Sequence, residues 1–163
     1  SVETHILRSM TSANDKPNHS RRSVIAEEAA YLDLARTAEL LSHPIVKLLK
    51  TEDLSPAQYN VLRILRGSPD GLTCGEISNR MITRDPDITR LLDRLEKRSL
   101  ILRARDTKDR RVVLTRIAQP GLELLARLDE PVRATHRKLL GHLGLERLRI
   151  LADLLALCRQ GLD

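Results

Sequence analysis

The run Asp85-Pro86-Asp87-Ile88-Thr89-Arg90-Leu91-Leu92-Asp93-Arg94-Leu95-Glu96-Lys97-Arg98 decides the fold. Ile88, Leu91, Leu92 and Leu95 recur at three- and four-residue steps, so they share the inner face of a helix. Thr89, Arg90, Asp93, Arg94, Lys97 and Arg98 fall on the outer face. Asp85 followed by Pro86 reads as an N-cap and a first helical residue, which places the helix at Pro86–Arg98. An outer face dominated by cationic side chains suits a surface that meets a polyanion.

Working upstream, Thr73 and Glu76 have the spacing of a capping box, and they open a short helix that ends near Met81. Ser55-Pro56 opens another, Ala57–Arg66, with Val61, Leu62 and Leu65 inward; Gly67 to Gly71 ends it. Two short helices joined by a tight turn form a helix-turn-helix, with the basic face on the second. Downstream the period changes. Ile101–Arg105 and Val112–Arg116 read as strands around the polar loop Asp106-Thr107-Lys108-Asp109-Arg110-Arg111. A charged hairpin directly after such a helix is the layout of a winged helix.

Charge and composition point the same way. The 163-residue chain carries a formal net charge of +6. Residues 80–116 hold twelve basic and six acidic side chains, so this stretch accounts for the whole net charge. Phe and Trp are absent and only Tyr31 and Tyr59 represent Tyr, which argues against stacking of single-stranded bases. No apolar run approaches the roughly 20 residues of a membrane span. Two cysteines make no disulfide scaffold.

Both ends of the chain read as helical. Residues 1–23 are mostly polar, without the apolar core of a secretory signal, and form an N-terminal extension. A helix is expected from about Val24 to Lys50, kinked or broken near His43 by Pro44. From Gly121, Leu122, Leu125, Leu128 and Val132 line a stripe, interrupted or bent at Pro131. In a last helix, Glu146–Gln160, Leu148, Leu151, Leu155 and Cys158 form one stripe and Ile150, Leu154 and Leu157 a second. Apolar on two sides, this helix implies an intersubunit contact, and Cys158 is expected in a core.

Three runs now carry a resemblance: Leu54-Ser55-Pro56-Ala57-Gln58-Tyr59-Asn60-Val61-Leu62, Ile88 through Ile101, and Asp106-Thr107-Lys108-Asp109-Arg110-Arg111, with Gly121 ten residues on. Together they resemble the MarR family of bacterial transcriptional regulators. The resemblance implies a mainly α fold with a small β-hairpin wing. Residues 54–117 would be the winged helix-turn-helix DNA-binding domain. Residues 24–53 and 118–163 would form a helical dimerisation region. It further implies a cytoplasmic homodimer, in most cases a repressor, that reads a pseudo-palindromic operator in double-stranded DNA and responds to a small-molecule effector. Two positions depart from the family pattern: Ser99 replaces a Gly that turns in the left-handed region, and Ala118 replaces a Thr N-cap.

Residue roles follow. Arg90 falls on the family's base-reading arginine and suits guanine O6 and N7; the bland alternative is an ion pair with Asp87 or Asp93. Thr89 and Asp87 share its exposed arc and are further base-reading candidates. Arg84, Arg94, Lys108 and Arg110 suit phosphates. Arg111 resembles the wing arginine that enters the minor groove. Asp106 and Asp109 are assigned to the shape of the wing loop. Tyr31, Arg36 and His43 are candidate effector contacts, with ordinary packing as the alternative. Cys74, at a helix start, is a candidate redox thiol, with an inert packed thiol as the alternative. The five histidines show no ligand spacing, so no metal is expected, and no cofactor. No phosphate loop, GxGxxG, HExxH or GxSxG supports an enzyme. The competing function is a helical module whose winged helix binds a partner protein.

Overall fold

The computed structural model describes residues 19–83, 85–107 and 109–161, with only the backbone described for 19–24. Arg84, Lys108 and residues 1–18 of the N-terminal extension therefore lie outside the described residues. The chain resolves into two units, 1–40 and 41–163. The described part of the first is helical, and its side chains from Ile25 to Leu40 are exposed.

The elements run α1 His19–Lys50, α2 Pro56–Arg66, α3 Cys74–Arg80, α4 Ile88–Lys97, β1 Ile101–Arg105, β2 Val113–Ile117, α5 Gln119–Leu140, a 3-10 turn Gly141–Leu143, and α6 Gly144–Gln160. Helix α1 runs unbroken through Pro44. Proline removes one hydrogen bond there, but Ile45, Leu48 and Leu49 pack on the core and hold the turns that follow. Pro131 likewise leaves α5 uninterrupted. The lost bond lies on the exposed side, while Leu128 and Val132 stay buried across it. The stripe of α5 differs slightly from expectation: Leu124, Leu125, Leu128 and Val132 are buried, and Leu122 is half-buried.

One core joins the helix-turn-helix, the hairpin and α5. Val61, Leu62 and Leu65 of α2 meet Ile77, Leu91, Leu92 and Leu95, together with Leu100, Ile101, Leu124, Leu125 and Leu128. Each fully buried Leu or Ile contributes about 1.5–3 kcal/mol. Local chemistry sets the helix ends. Ser55 and Gln58 close a reciprocal capping box at α2, and Thr73 and Glu76 another at α3. Helix α4 begins at Ile88, two residues later than Pro86. Asp85 Oδ1 accepts from Asp87 N at 2.9 Å, and that local turn passes the cap to Asp87, whose Oδ1 accepts from Arg90 N at 3.1 Å.

The hairpin pairs Ile101 with Ile117 and Arg105 with Val113, antiparallel. Strand β2 starts one residue after Val112, because Val112 N turns back to Asp109 O at 2.9 Å and closes the loop. Leu72 and Thr115 exchange both backbone bonds, at 3.0 and 2.8 Å, which moors the hairpin to the segment before α3.

Ser99 does take φ +56°, at a cost of roughly 1 kcal/mol for a non-glycine residue. The exit it makes lets Leu100 N reach Leu95 O at 3.0 Å and start the strand. Helix α5 starts from Ala118 without a side-chain cap, with Pro120 in its first turn. There Gly121 is packed against backbone: a Cβ would stand 2.4 Å from Leu100 O and 2.9 Å from Ile117 Cγ1. Helix propensity favours alanine by about 1 kcal/mol, but overpacking against a backbone carbonyl costs about 3 kcal/mol. Gly121→Ala is therefore expected to lower the urea midpoint. An unchanged midpoint would mean that α5 slides freely on the hairpin.

Helix α6 buries no residue in the single chain. Leu145, Ile150, Leu151, Leu154 and Leu157 are exposed. Cys158 is exposed too, which corrects its expected place in a core: among the described residues its stripe is only half-covered, at Leu148 and Leu155.

Candidate nucleic-acid interface

The outer face of α4 is positioned by its own C-terminal arginine and by the wing. Arg103 of β1 reaches back to Asp93 and Glu96, its Nε donating to Glu96 Oε2 at 2.9 Å. Arg98 donates to the carbonyls of Asp53 and Glu52 at 2.6 and 3.0 Å, tying the helix end to the turn after α1. Arg98 and Arg103 are thus structural clamps rather than free cations. Charge counting does not distinguish them, because their partners are set by tertiary packing.

This diversion bears on Arg90. Its two candidate acidic partners are engaged elsewhere: Asp87 caps the helix and Asp93 receives Arg103. Arg90 is exposed and makes no salt bridge among the described residues. Thr89 and Arg94 are exposed on the same helix. A cleft of about 250 Å³ is lined by Ser55, Gln58, Asp85, Asp87, Arg90 and Arg94, so the start of α2 and the start of α4 share one surface.

In the wing, Arg110 and Arg111 are exposed, the Arg111 side chain at 93%. Asp109 Oδ1 accepts from Arg111 N at 3.0 Å and from its Nε at 3.3 Å. Asp106 N donates to Val112 O at 2.9 Å, so the loop is closed by backbone and carboxylate together. Arg105 donates to Arg110 O at 3.3 Å.

The Arg103 guanidinium holds the Glu96 carboxyl below the usual carboxylate range. A carboxyl lowered in the folded state stabilises above its unfolded value and stops doing so as pH falls through the folded one. Arg103→Met is therefore expected to cost about 1 kcal/mol at neutral pH. The deficit should shrink in acid, where Glu96 is protonated in both proteins. Urea melts at the two pH values measure it, and a deficit independent of pH would disprove the pairing.

A second charged cluster lies away from α4, in a crevice of about 170 Å³ lined by Tyr59, Arg63, Arg66, Asp129, Arg133 and His136. Arg66 Nη1 donates to both Asp129 oxygens, at 2.8 and 3.1 Å. That bond, aided by the charges of Arg66, Arg133 and Arg63, holds the Asp129 carboxyl below its usual range. Three arginines facing one carboxylate leave the crevice net cationic. This site is not legible in the sequence, because α2 and α5 contribute to it from positions 63 residues apart.

The other candidates lie separately. Tyr31, Arg36 and His43 are exposed on α1. Cys74 is half-buried against the core, at the start of α3. Among the described residues no group of three His, Cys, Asp or Glu side chains could hold a metal ion. No described helix is long and apolar enough to cross a membrane.

A family model described as the MarR family matches residues 54–113. The crystal structure of a MarR transcription factor from Planctomyces limnophilus is 41% identical, with a TM-score of 0.63, covering 80% of this chain and 95% of that one. The homoprotocatechuate degradative operon repressor of Escherichia coli is 26% identical over 126 residues, 77% of this chain and 82% of its own. The S. aureus MepR–DNA complex has the same fold, with a TM-score of 0.72 at 22% identity, over 81% of this chain and 96% of that one.

Proposed function

The chain belongs to the MarR family of transcriptional regulators, and from that premise we propose how it reads DNA: as a homodimer, one α4 in the major groove of each operator half-site. The observation that carries this reading is Arg90, an exposed guanidinium whose neighbouring carboxylates are committed to a cap and a clamp. A guanidinium left unpaired on a rigid helix is available to guanine O6 and N7 as a bidentate donor. Thr89 adjoins it and suits a thymine methyl or a phosphate. Asp87 spends Oδ1 on the cap, which leaves Oδ2 for a cytosine amino group. Arg94 and Arg110, with Arg84 and Lys108 from the sequence alone, are assigned to phosphates. Arg111, the exposed wing arginine, is assigned to the minor groove.

The dimer is assigned to the terminal helices, on the exposed leucines of α6. Two-fold symmetry then sets the half-site spacing. Occupied DNA blocks transcription, so the chain acts as a cytoplasmic repressor rather than an enzyme. A small anionic effector suits the cationic crevice between α2 and α5; Tyr31, Arg36 and His43 stay candidate effector contacts on their own account, apart from that crevice. A cationic α4 face has no use in a module that binds a neutral partner protein. Half-buried Cys74 fits a packed thiol better than a redox sensor. Selection of genomic fragments on the purified protein tests the reading: an enriched inverted repeat is expected, and fragments without one would overturn it.

A further inference from the structure

We propose that Ile82, outside the recognition helix, is a specificity-determining residue that packs on a thymine methyl in each half-site. This rests on the DNA-binding reading above and extends it. Ile82 is 86% exposed, more than any other large hydrophobic side chain among the described residues. It lies in the turn between α3 and α4 and is held firmly there. Its backbone N–H donates to Asn60 Oδ1 of α2 at 2.8 Å, and its neighbour Met81 packs on the core. An apolar group presented on a fixed backbone loses little entropy on binding.

Its surroundings identify the occupant. Pro56, Ala57, Met81 and Ile82 line an apolar crevice of about 470 Å³. The polar edge of that crevice, Ser55 and Asp85, also lines the cleft that holds Arg90 and Arg94. The apolar patch is therefore continuous with the cationic surface that faces the duplex. The N-terminal end of a recognition helix is the part that reaches base edges, so the turn just before it travels with that end. Among base edges in the major groove the thymine C5-methyl is the apolar group, and it discriminates A·T from G·C pairs. Phosphates give an isoleucine nothing. The arginines beside it disfavour an apolar protein partner.

The test uses the full-length protein, first to select binding sites from a randomised duplex library, with wild type, Ile82→Ala and Arg90→Ala in parallel. Ile82→Ala is expected to lose one thymine preference per half-site, at a column distinct from the one that Arg90→Ala loses. On the wild-type site, replacing that thymine by deoxyuridine should weaken wild-type binding about fivefold and leave Ile82→Ala binding unchanged. Equal selection profiles, or an Ile82→Ala loss that is the same with thymine and deoxyuridine, would overturn the contact while the DNA-binding reading stood. Enrichment of no sequence by the wild type would overturn that reading itself. Because Ile82 is exposed, unchanged helicity and melting are expected and keep the comparison free of unfolding.

Discussion

Arg90→Ala is expected to abolish most operator preference while sparing the fold. A bidentate contact to guanine discriminates by about 1–3 kcal/mol. A two-fold dimer makes it twice, so specific affinity should fall by about 2–6 kcal/mol, or roughly thirtyfold to twenty-thousandfold. Binding to random duplex should fall far less, because Arg94 and Arg110, assigned to the phosphates, and the wing Arg111 are unchanged in the variant. Arg90→Lys separates geometry from charge. It keeps the cation but lacks the planar fork, so it should recover affinity for random duplex without recovering specificity. Fluorescence anisotropy on the selected site and on a scrambled duplex provides both numbers. If Arg90→Ala lost equal affinity for both, Arg90 would be a phosphate contact.

Leu154→Glu should have a comparably large effect through assembly. Leu154 shares a face of α6 with Ile150 and Leu157, and all three are exposed in the single chain. Each such side chain contributes about 1.5–3 kcal/mol when buried, and a glutamate there would place two unpaired carboxylates in one interface. Sedimentation should report a monomer at concentrations where the wild type is a dimer. Operator affinity should fall about a hundredfold or more, because the second half-site is no longer engaged intramolecularly. The secondary structure should persist, since Leu154 supports no core in its own chain. A variant that remained a dimer would remove α6 from the interface.

The parts of the fold that were legible are those written in short-range chemistry. Ser55 with Gln58 and Thr73 with Glu76 are three residues apart and close their caps as spaced. The short strand-like segments flanking the polar loop placed the hairpin to within a residue. Ser99 held the left-handed position that the family pattern demands. Errors arose where a local signal competed with packing. Asp85-Pro86 looks like a helix start, yet Asp85 is used up in a turn and Asp87 caps instead. At Pro44 and Pro131, where a kink or a break is expected, there is no break: buried leucines and valine on the far side carry both helices past the prolines.

By itself, then, the sequence determined the order of the elements, the family, and the confinement of the net charge to one helix and its wing. These are local or compositional properties, readable from spacing and residue type. Tertiary structure alone decided which of those charges are free. Arg98 and Arg103 are as basic as Arg90, but the first is bonded to carbonyls 45 and 46 residues away and the second to Asp93 and Glu96. It also decided that Arg66 and Asp129 meet in a cationic crevice and that Ile82 stands exposed on a clamped turn. The physical reason is that packing, not spacing along the chain, sets which groups come within reach of one another. An ion pair is satisfied or left open by whichever group packing brings within about 4 Å, and separation along the chain does not encode that distance.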